Sequence, residues 1–218
     1  MAAMAKSLIL VAGNIGVGKT SITERLGARL GWTTGFETVA DNPYLPDFYG
    51  DMRQWSFHLQ IFFLGHRARQ HLALASGPGS AILDRSIYED AHIFARALYQ
   101  LGNLSERDYF AYRQLFDLVV KTLPPPDLLI YLKAPIEVLQ DRIQRRGRSM
   151  ETAIDAGYLR LLDGFYSDWL DQYDLSPVLT LRSDDLDFVN QARHLEIVIR
   201  RINEKLSGRE ELIFPADS

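Results

Sequence analysis

The stretch Leu8-Ile9-Leu10-Val11-Ala12-Gly13-Asn14-Ile15-Gly16-Val17-Gly18-Lys19-Thr20 decides the fold. Its first five residues are all apolar and read as a strand buried on both faces. Gly13 to Thr20 then satisfies G-x-x-x-x-G-K-[ST], and helical periodicity follows from Lys19 to Leu30, ending near Gly31. Strand, glycine-rich loop and helix in that order are the context the motif requires. The glycines let successive backbone N–H groups converge on an anion, and the helix N-terminus adds partial positive charge. Lys19 is placed to reach β- and γ-phosphates, and the Thr20 hydroxyl to ligand Mg²⁺. The expected ligand is a nucleoside triphosphate. The motif alone does not distinguish a kinase from an ATPase or a GTPase.

Outward from this loop, short apolar runs alternate with longer amphipathic ones. Thr33–Phe36, Ala81–Leu83, Leu128–Leu132 and Val178–Leu181 read as further strands, giving five with the first. Helices are expected over Asp51–Ala75, Glu89–Tyr99, Ser105–Thr122, Ile136–Arg146, Tyr158–Tyr173 and Phe188–Leu206. The prolines at 43 and 46 mark Asp41–Asp47 as a turn region, and Gly77-Pro78-Gly79 and Pro124-Pro125-Pro126 end two of the helices. Strands alternating with helices indicate an α/β protein of the P-loop NTPase fold: a parallel five-stranded sheet covered by helices on both faces. The 218 residues suit one domain over 1–206, with 207–218 as a tail.

Composition narrows the function. The chain carries a formal net charge of −4, which argues against a broad nucleic-acid-binding face but not against a small basic phosphate site. It contains no Cys, so disulfides, thiolate metal sites and a cysteine nucleophile are excluded, and a reducing, cytoplasmic setting is expected. Leu8–Ala12 is far too short to span a membrane, and Lys6 and Ser7 interrupt any signal-peptide core. His58, His66 and His71 have no companions at metal-ligand spacing, so no zinc site is assigned.

Two groups of residues carry further chemistry. Arg142, Arg145, Arg146 and Arg148 surround the helix-breaking Gly147, and an arginine-rich lid over about 142–151 would supply charge to transferring phosphate and exclude water. Position alone also fits a solvated basic helix end, and Arg145 is the bystander of the four. Glu37 and Asp84-Arg85 each follow a strand, at the carboxyl edge where open α/β sheets bind ligands. A carboxylate at Glu37 could accept a hydroxyl proton, Asp84 could hold Mg²⁺, and Arg85 could position base and hydroxyl. Trp55, Phe57, Phe62 and Phe63 are taken mostly as core or interface. The long helix that carries them is apolar on more than one side, which suits a partner helix.

Taken together and in order, Gly13–Thr20, Glu37, Tyr49 with Trp55-Ser56-Phe57 and Gln60, Arg67, Asp84-Arg85-Ser86-Ile87-Tyr88-Glu89-Asp90 and Arg142 through Glu151 resemble the deoxynucleoside kinase family, of the deoxyadenosine, deoxycytidine and deoxyguanosine type. The resemblance runs from about Leu8 to Leu206. It implies ATP-dependent phosphorylation of the 5′-hydroxyl of a deoxynucleoside in nucleotide salvage, with Mg²⁺ as cofactor and a homodimer as the assembly. It further implies that Glu37 is the general base assisted by Arg85, that Tyr49 and Glu151 hold the sugar 3′-hydroxyl, and that Gln60 reads the base while Phe94 stacks on it. Arg67 and Asp90 match a pair that contacts the base, and Arg142, Arg146 and Arg148 match the lid on the phosphates.

The sequence departs from the vertebrate cytidine-type members at Asp84, where they carry Glu, near Asn42, where they carry Trp, and at Leu59, where they carry an aromatic. A carboxylate at Asp90 accepts from an exocyclic amino group and opposes the O4 of thymine, which favours adenine or cytosine; guanine fits if Arg67 turns to its O6. A nucleoside monophosphate kinase shares the expected fold, but its acceptor phosphate would call for more basic residues. A nucleotide-dependent switch of the GTPase kind would want an Asn-Lys-x-Asp base reader, and none of the five Lys residues follows Asn or Thr.

Overall fold

The computed structural model describes residues 6–36, 42–148, 154–186 and 191–208. In chain order these form β1 (Leu8–Gly13), α1 (Lys19–Leu30), β2 (Thr33–Gly35), α2 (Leu45–Gly50), α3 (Met52–Ser76) and β3 (Ala81–Asp84). A continuous helical run follows, made of α4 (Ile87–Glu89), a π-helical segment (Asp90–Ala95) and α5 (Arg96–Gln100). Then come α6 (Glu106–Val120), β4 (Leu128–Lys133), α7 (Ile136–Arg146), α8 (Ala156–Asp171), β5 (Val178–Arg182) and α9 (Ala192–Leu206).

The five strands form one sheet in the order β2-β3-β1-β4-β5, and every pairing is parallel. β1 lies at the centre, with Leu10 opposite Leu83 on one side and Leu129 on the other. Because side chains alternate along a strand, β1 feeds two cores at once. Leu10 and Ala12 face α3, α6 and α8 through Leu64, Phe116, Leu162 and Tyr166. Ile9 and Val11 face α1, α7 and α9 through Ile22, Leu26, Ile143 and Val198. This burial on both faces is why β1, β3 and β4 read as apolar runs, whereas the edge strands β2 and β5 are partly exposed. A smaller third cluster, Phe48, Leu59, Leu98 and Leu104, joins α2 and α3 to the end of α5; Trp55, Phe57 and Phe63 pack against it.

Local signals account for most helix ends. Gly31 closes α1 in the left-handed region at φ 68°, and Gly147 closes α7 at φ 64°. Asp51, Ser105 and Asp155 cap α3, α6 and α8 by accepting from the backbone N–H three residues on.

The structure departs from the expected elements in two places. The turn region at 41–47 gives way to α2 from Leu45. Pro46 falls within its first turn, where the missing N–H costs no hydrogen bond. The helix expected from Glu89 starts at Ile87, because Ser86 and Glu89 form a reciprocal capping box. It then opens into the π-helical turn, a feature common at functional sites.

His92, in that π-helical segment, stacks on Trp169 at 6.1 Å and meets the edge of Phe116 at 5.5 Å. Burial, reinforced by Arg113 and Arg96 against Asp117, pushes its imidazole down to about 4 from the ordinary 6.5. The unfolded chain binds this proton below about pH 6.5 and the folded chain only below about 4. The neutral ring therefore contributes fully above pH 6.5, and stability falls between pH 6.5 and 4 by up to ~3 kcal/mol. Urea unfolding at several pH values checks this. His92→Gln is expected to flatten the slope in that window, and an unchanged slope would exclude His92 as its source.

Candidate active site

The phosphate loop leaves β1 at Gly13 and enters α1 at Lys19. Gly16 and Gly18 sit at φ 82° and 105°, which only glycine adopts readily. Gly13 has a further constraint: a Cβ there would lie 2.4 Å from the Leu132 carbonyl oxygen on the neighbouring strand. Lys19 is buried, and its Nζ donates to the carbonyls of Gly13 at 2.7 Å and Asn14 at 3.1 Å. The Asn14 side chain ties the loop to α8, donating to the Leu159 carbonyl at 2.9 Å and accepting from the Ile15 N–H. Ile15 lines the cavity described below, and Val17 is buried against α7.

Thr20 and Asp84 come together. The Thr20 hydroxyl donates to Asp84 Oδ2 at 2.6 Å, and Asp84 itself, at the end of β3, is buried. A hydroxyl and a carboxylate converging beside a phosphate-binding helix end form an all-oxygen donor set of the kind Mg²⁺ takes with few protein ligands. These residues fit the ion.

Past Asp84 the chain turns sharply. Arg85 has φ 66°, the one non-glycine with positive φ among the described residues, and its N–H is held by the Val11 carbonyl. Strain of this kind is held in place by the surrounding structure and clusters at functional sites. Here it aims the guanidinium over the Phe94 ring, 4.1 Å from its centroid. Both residues line a cavity of about 570 Å³ together with Tyr49, Gln60, Asp90, Arg148 and Tyr158, against an apolar wall that includes Phe48, Leu59 and Phe63. Leu59 therefore stands at the cavity, whereas Asn42 is buried and caps the backbone at Tyr44. Burial pushes the Tyr158 hydroxyl up to about 12, against the pull of Arg85, so it remains a donor at neutral pH.

Two features give this cavity polar selectivity. Gln60 is 3% exposed, and its Oε1 has no hydrogen-bond partner among the described residues. Burying such an acceptor unsatisfied is costly, which suits a ligand donor. Asp90 faces the cavity while Arg67 stands behind it, 1% exposed, donating from Nε to Asp90 Oδ2 at 3.1 Å and from its terminal nitrogen to the Asp84 carbonyl. Arg67 does not itself line the cavity, so of the two it is Asp90 that fronts it.

The arginines after Ile136 divide. Arg142 is fastened to the Val17 carbonyl at 3.1 Å and to the hydroxyl and carbonyl of Ser183. Arg145, Arg146 and Arg148 are exposed, and of these Arg148 reaches the cavity. Glu37 and Glu151 lie outside the described residues, as does the whole of the 142–151 stretch beyond Arg148.

Sequence reasoning missed Glu89 and Tyr166. Glu89 is fully buried and accepts from the N–H groups of Gly13 and Ser86, and the Tyr166 hydroxyl lies 2.7 Å from it. The spacing Ser86-Ile87-Tyr88-Glu89 is a capping-box signature that could have singled Glu89 out. Tyr166, in the middle of an amphipathic helix, carried no local signal.

Comparison with known proteins agrees with this architecture. The family model for deoxynucleoside kinase matches residues 9–207. A deoxyadenosine/deoxycytidine kinase of Bacillus subtilis is 41% identical over 198 residues, spanning 90% of this chain and 91% of that one. A deoxyadenosine kinase of Lactobacillus acidophilus is 34% identical over 209 residues, spanning 91% and 96%. Among solved structures, a deoxyadenosine kinase from M. mycoides with its products dCMP and dCDP bound superposes with a TM-score of 0.79 at 31% identity, covering 90% of this chain and 99% of that one. With a P-loop at the head of the sheet, an oxygen pair beside it and a polar-ended cavity next to both, the chain belongs to the deoxynucleoside kinase family.

Proposed function

We propose that this kinase transfers the γ-phosphate of ATP to the 5′-hydroxyl of deoxyadenosine foremost, with deoxycytidine or deoxyguanosine as further acceptors, in nucleotide salvage. The observation that carries the base preference is the Asp90 carboxylate at the wall of a cavity that also holds the unpartnered Gln60 acceptor. A carboxylate accepts from the exocyclic amino group of adenine or cytosine and opposes the O4 of thymine. The relatives support this: the Bacillus subtilis enzyme is named for deoxyadenosine and deoxycytidine, and the M. mycoides kinase has been solved with dATP and with dCTP.

In this reaction the Gly13–Thr20 backbone cradles the triphosphate and Lys19 neutralises its β- and γ-oxygens. Thr20 and Asp84 hold Mg²⁺, which when bound offsets the negative charge of the phosphates. Tyr49 and Glu151 hold the 3′-hydroxyl, Gln60 and Asp90 take the base edge with Arg67 behind them, and Phe94 stacks on its face. Arg85 holds the 5′-hydroxyl and Glu37 accepts its proton, while Arg142, held beside the loop at Val17, and the exposed Arg146 and Arg148 meet the phosphates. Catalysis is then mainly positioning and electrostatics, as in-line phosphoryl transfer requires.

We read residues 1–206 as one domain with a lid over about 142–151, cytoplasmic and acting on a small molecule rather than on nucleic acid. No helix among the described residues is long and apolar enough to cross a membrane. The exposed Phe110, Leu115 and Leu118 on α6 offer apolar area to the homodimer the family implies. A panel of the four deoxynucleosides and their ribo-counterparts with ATP and Mg²⁺ tests the function. Deoxyadenosine and deoxycytidine are expected to exceed thymidine by a wide margin, and phosphorylation of none of the eight would overturn the proposal.

A further inference from the structure

The backbone at Gly13 is held from three sides. Its N–H donates to Glu89 Oε1 at 3.2 Å; its carbonyl accepts from Lys19 Nζ at 2.7 Å and lies 2.8 Å from the Tyr166 hydroxyl. The same hydroxyl lies 2.7 Å from Glu89 Oε1, so its one proton has two acceptors within reach. Glu89 Oε2 accepts from the Ser86 N–H at 2.9 Å, which fastens the carboxylate to the turn that follows Asp84 and carries Arg85. Glu89 and Tyr166 are both 0% exposed, and neither lines the nucleoside cavity. Burial, with Glu89 beside it, keeps the Tyr166 hydroxyl protonated far above neutral pH.

We propose that Glu89 and Tyr166 are positioning residues for phosphoryl transfer: they fix the two peptide planes that meet at Gly13 and through its carbonyl aim Lys19 at the triphosphate. The N–H belongs to the peptide that enters Gly13 and the carbonyl to the peptide that leaves it, so with one held by Glu89 and the other by Tyr166 neither plane can turn freely about the glycine Cα. The Gly13 carbonyl oxygen is thus a fixed anchor that holds an otherwise flexible ammonium beside the anion nest. Because Glu89 also grips Ser86, the donor loop and the acceptor-side turn keep a constant spacing, and in-line transfer is sensitive to displacements of the order of 1 Å.

This inference rests on a triphosphate occupying the loop. The experiment compares wild type with Glu89→Gln and Tyr166→Phe, each also in a Lys19→Ala background. In Glu89→Gln the side-chain NH₂ must face one of two N–H donors, which releases one anchor. Tyr166→Phe removes the hydroxyl and keeps the ring. Each is expected to lower kcat/KM for ATP about tenfold, the loss that follows from one unsatisfied buried group. The KM for deoxyadenosine should stay within about twofold. In the Lys19→Ala background either substitution should add less than about twofold, because the group being aimed is gone.

A general packing role would instead raise both KM values in step with a fall in Tm, or act in full in the Lys19→Ala background, and either result overturns the proposal. So does wild-type kcat/KM for ATP in both variants. If one variant does not fold, the other is judged by the same criteria. A wild-type protein that binds Mg–ATP but phosphorylates no deoxynucleoside would refute the proposed reaction alone. The positioning role is then judged from ATP affinity by fluorescence titration, with the same tenfold criterion.

Discussion

Replacing Glu37 by Gln is expected to lower turnover about 10²–10⁴-fold, the usual contribution of a general base, while ATP affinity stays within about twofold. The substitution preserves the shape of the side chain and removes its ability to take a proton. The backbone leading to it explains why this carboxylate is the candidate. β2 ends at Gly35, which pairs with Leu83, the residue before Asp84. The Phe36 carbonyl is held by Gln70 of α3 at 2.8 Å. The chain is therefore delivered to the edge of the sheet beside Asp84 and Arg85, one residue ahead of Glu37. Steady-state rates with deoxyadenosine, paired with an ATP titration, separate the two effects. Full activity in the variant would remove Glu37 from the chemistry, and a parallel loss of ATP affinity would assign it to binding.

The second large effect concerns the Arg67–Asp90 pair. Asp90→Ala leaves the buried Arg67 guanidinium without that counter-charge, and loss of one partner of a buried pair typically costs about 3–5 kcal/mol. Arg67→Met added to it replaces the stranded charge with an apolar side chain and is expected to recover most of that loss. The same double variant, Asp90→Ala with Arg67→Met, should admit thymidine, because the carboxylate that opposes O4 is gone. Urea unfolding measures the first expectation and rates on the four deoxynucleosides the second. Equal stability of single and double variants would contradict the account of the ion pair. Unchanged discrimination against thymidine would contradict the account of specificity.

Much of the scaffold was legible because its signals are local. The bounds expected for the helices Lys19–Leu30 and Ile136–Arg146 coincide with α1 and α7, since each ends at a glycine able to adopt a left-handed cap. The apolar runs at β1, β3 and β4 became strands because each is buried on two faces and needs no alternation to announce itself. Where the signal was ambiguous the expectation failed. Two prolines read as a turn, yet Pro46 serves as well inside the first turn of α2. α4 starts two residues ahead of the expected Glu89, because Ser86 is its N-cap and Glu89 the partner in the capping box rather than the first helical residue.

The candidate site divides along the same line. The residues Gly13 to Thr20 are contiguous, and their conformation depends on glycines and a helix start, so the sequence by itself determined the phosphate loop and the class of ligand it holds. Asp84 through Asp90 could likewise be marked as a functional segment. Only the tertiary structure decided how these pieces meet. It set Thr20 against Asp84, placed Arg67 behind Asp90 rather than in the cavity, and tied Arg142 to the loop at Val17. It also brought Tyr166 to Gly13 across 153 residues of chain. Such contacts arise from strand order and from helices packing on a shared core, and they leave no mark in the residues flanking either partner. A buried hydroxyl on an amphipathic helix looks like core until the fold places a carbonyl and a carboxylate beside it.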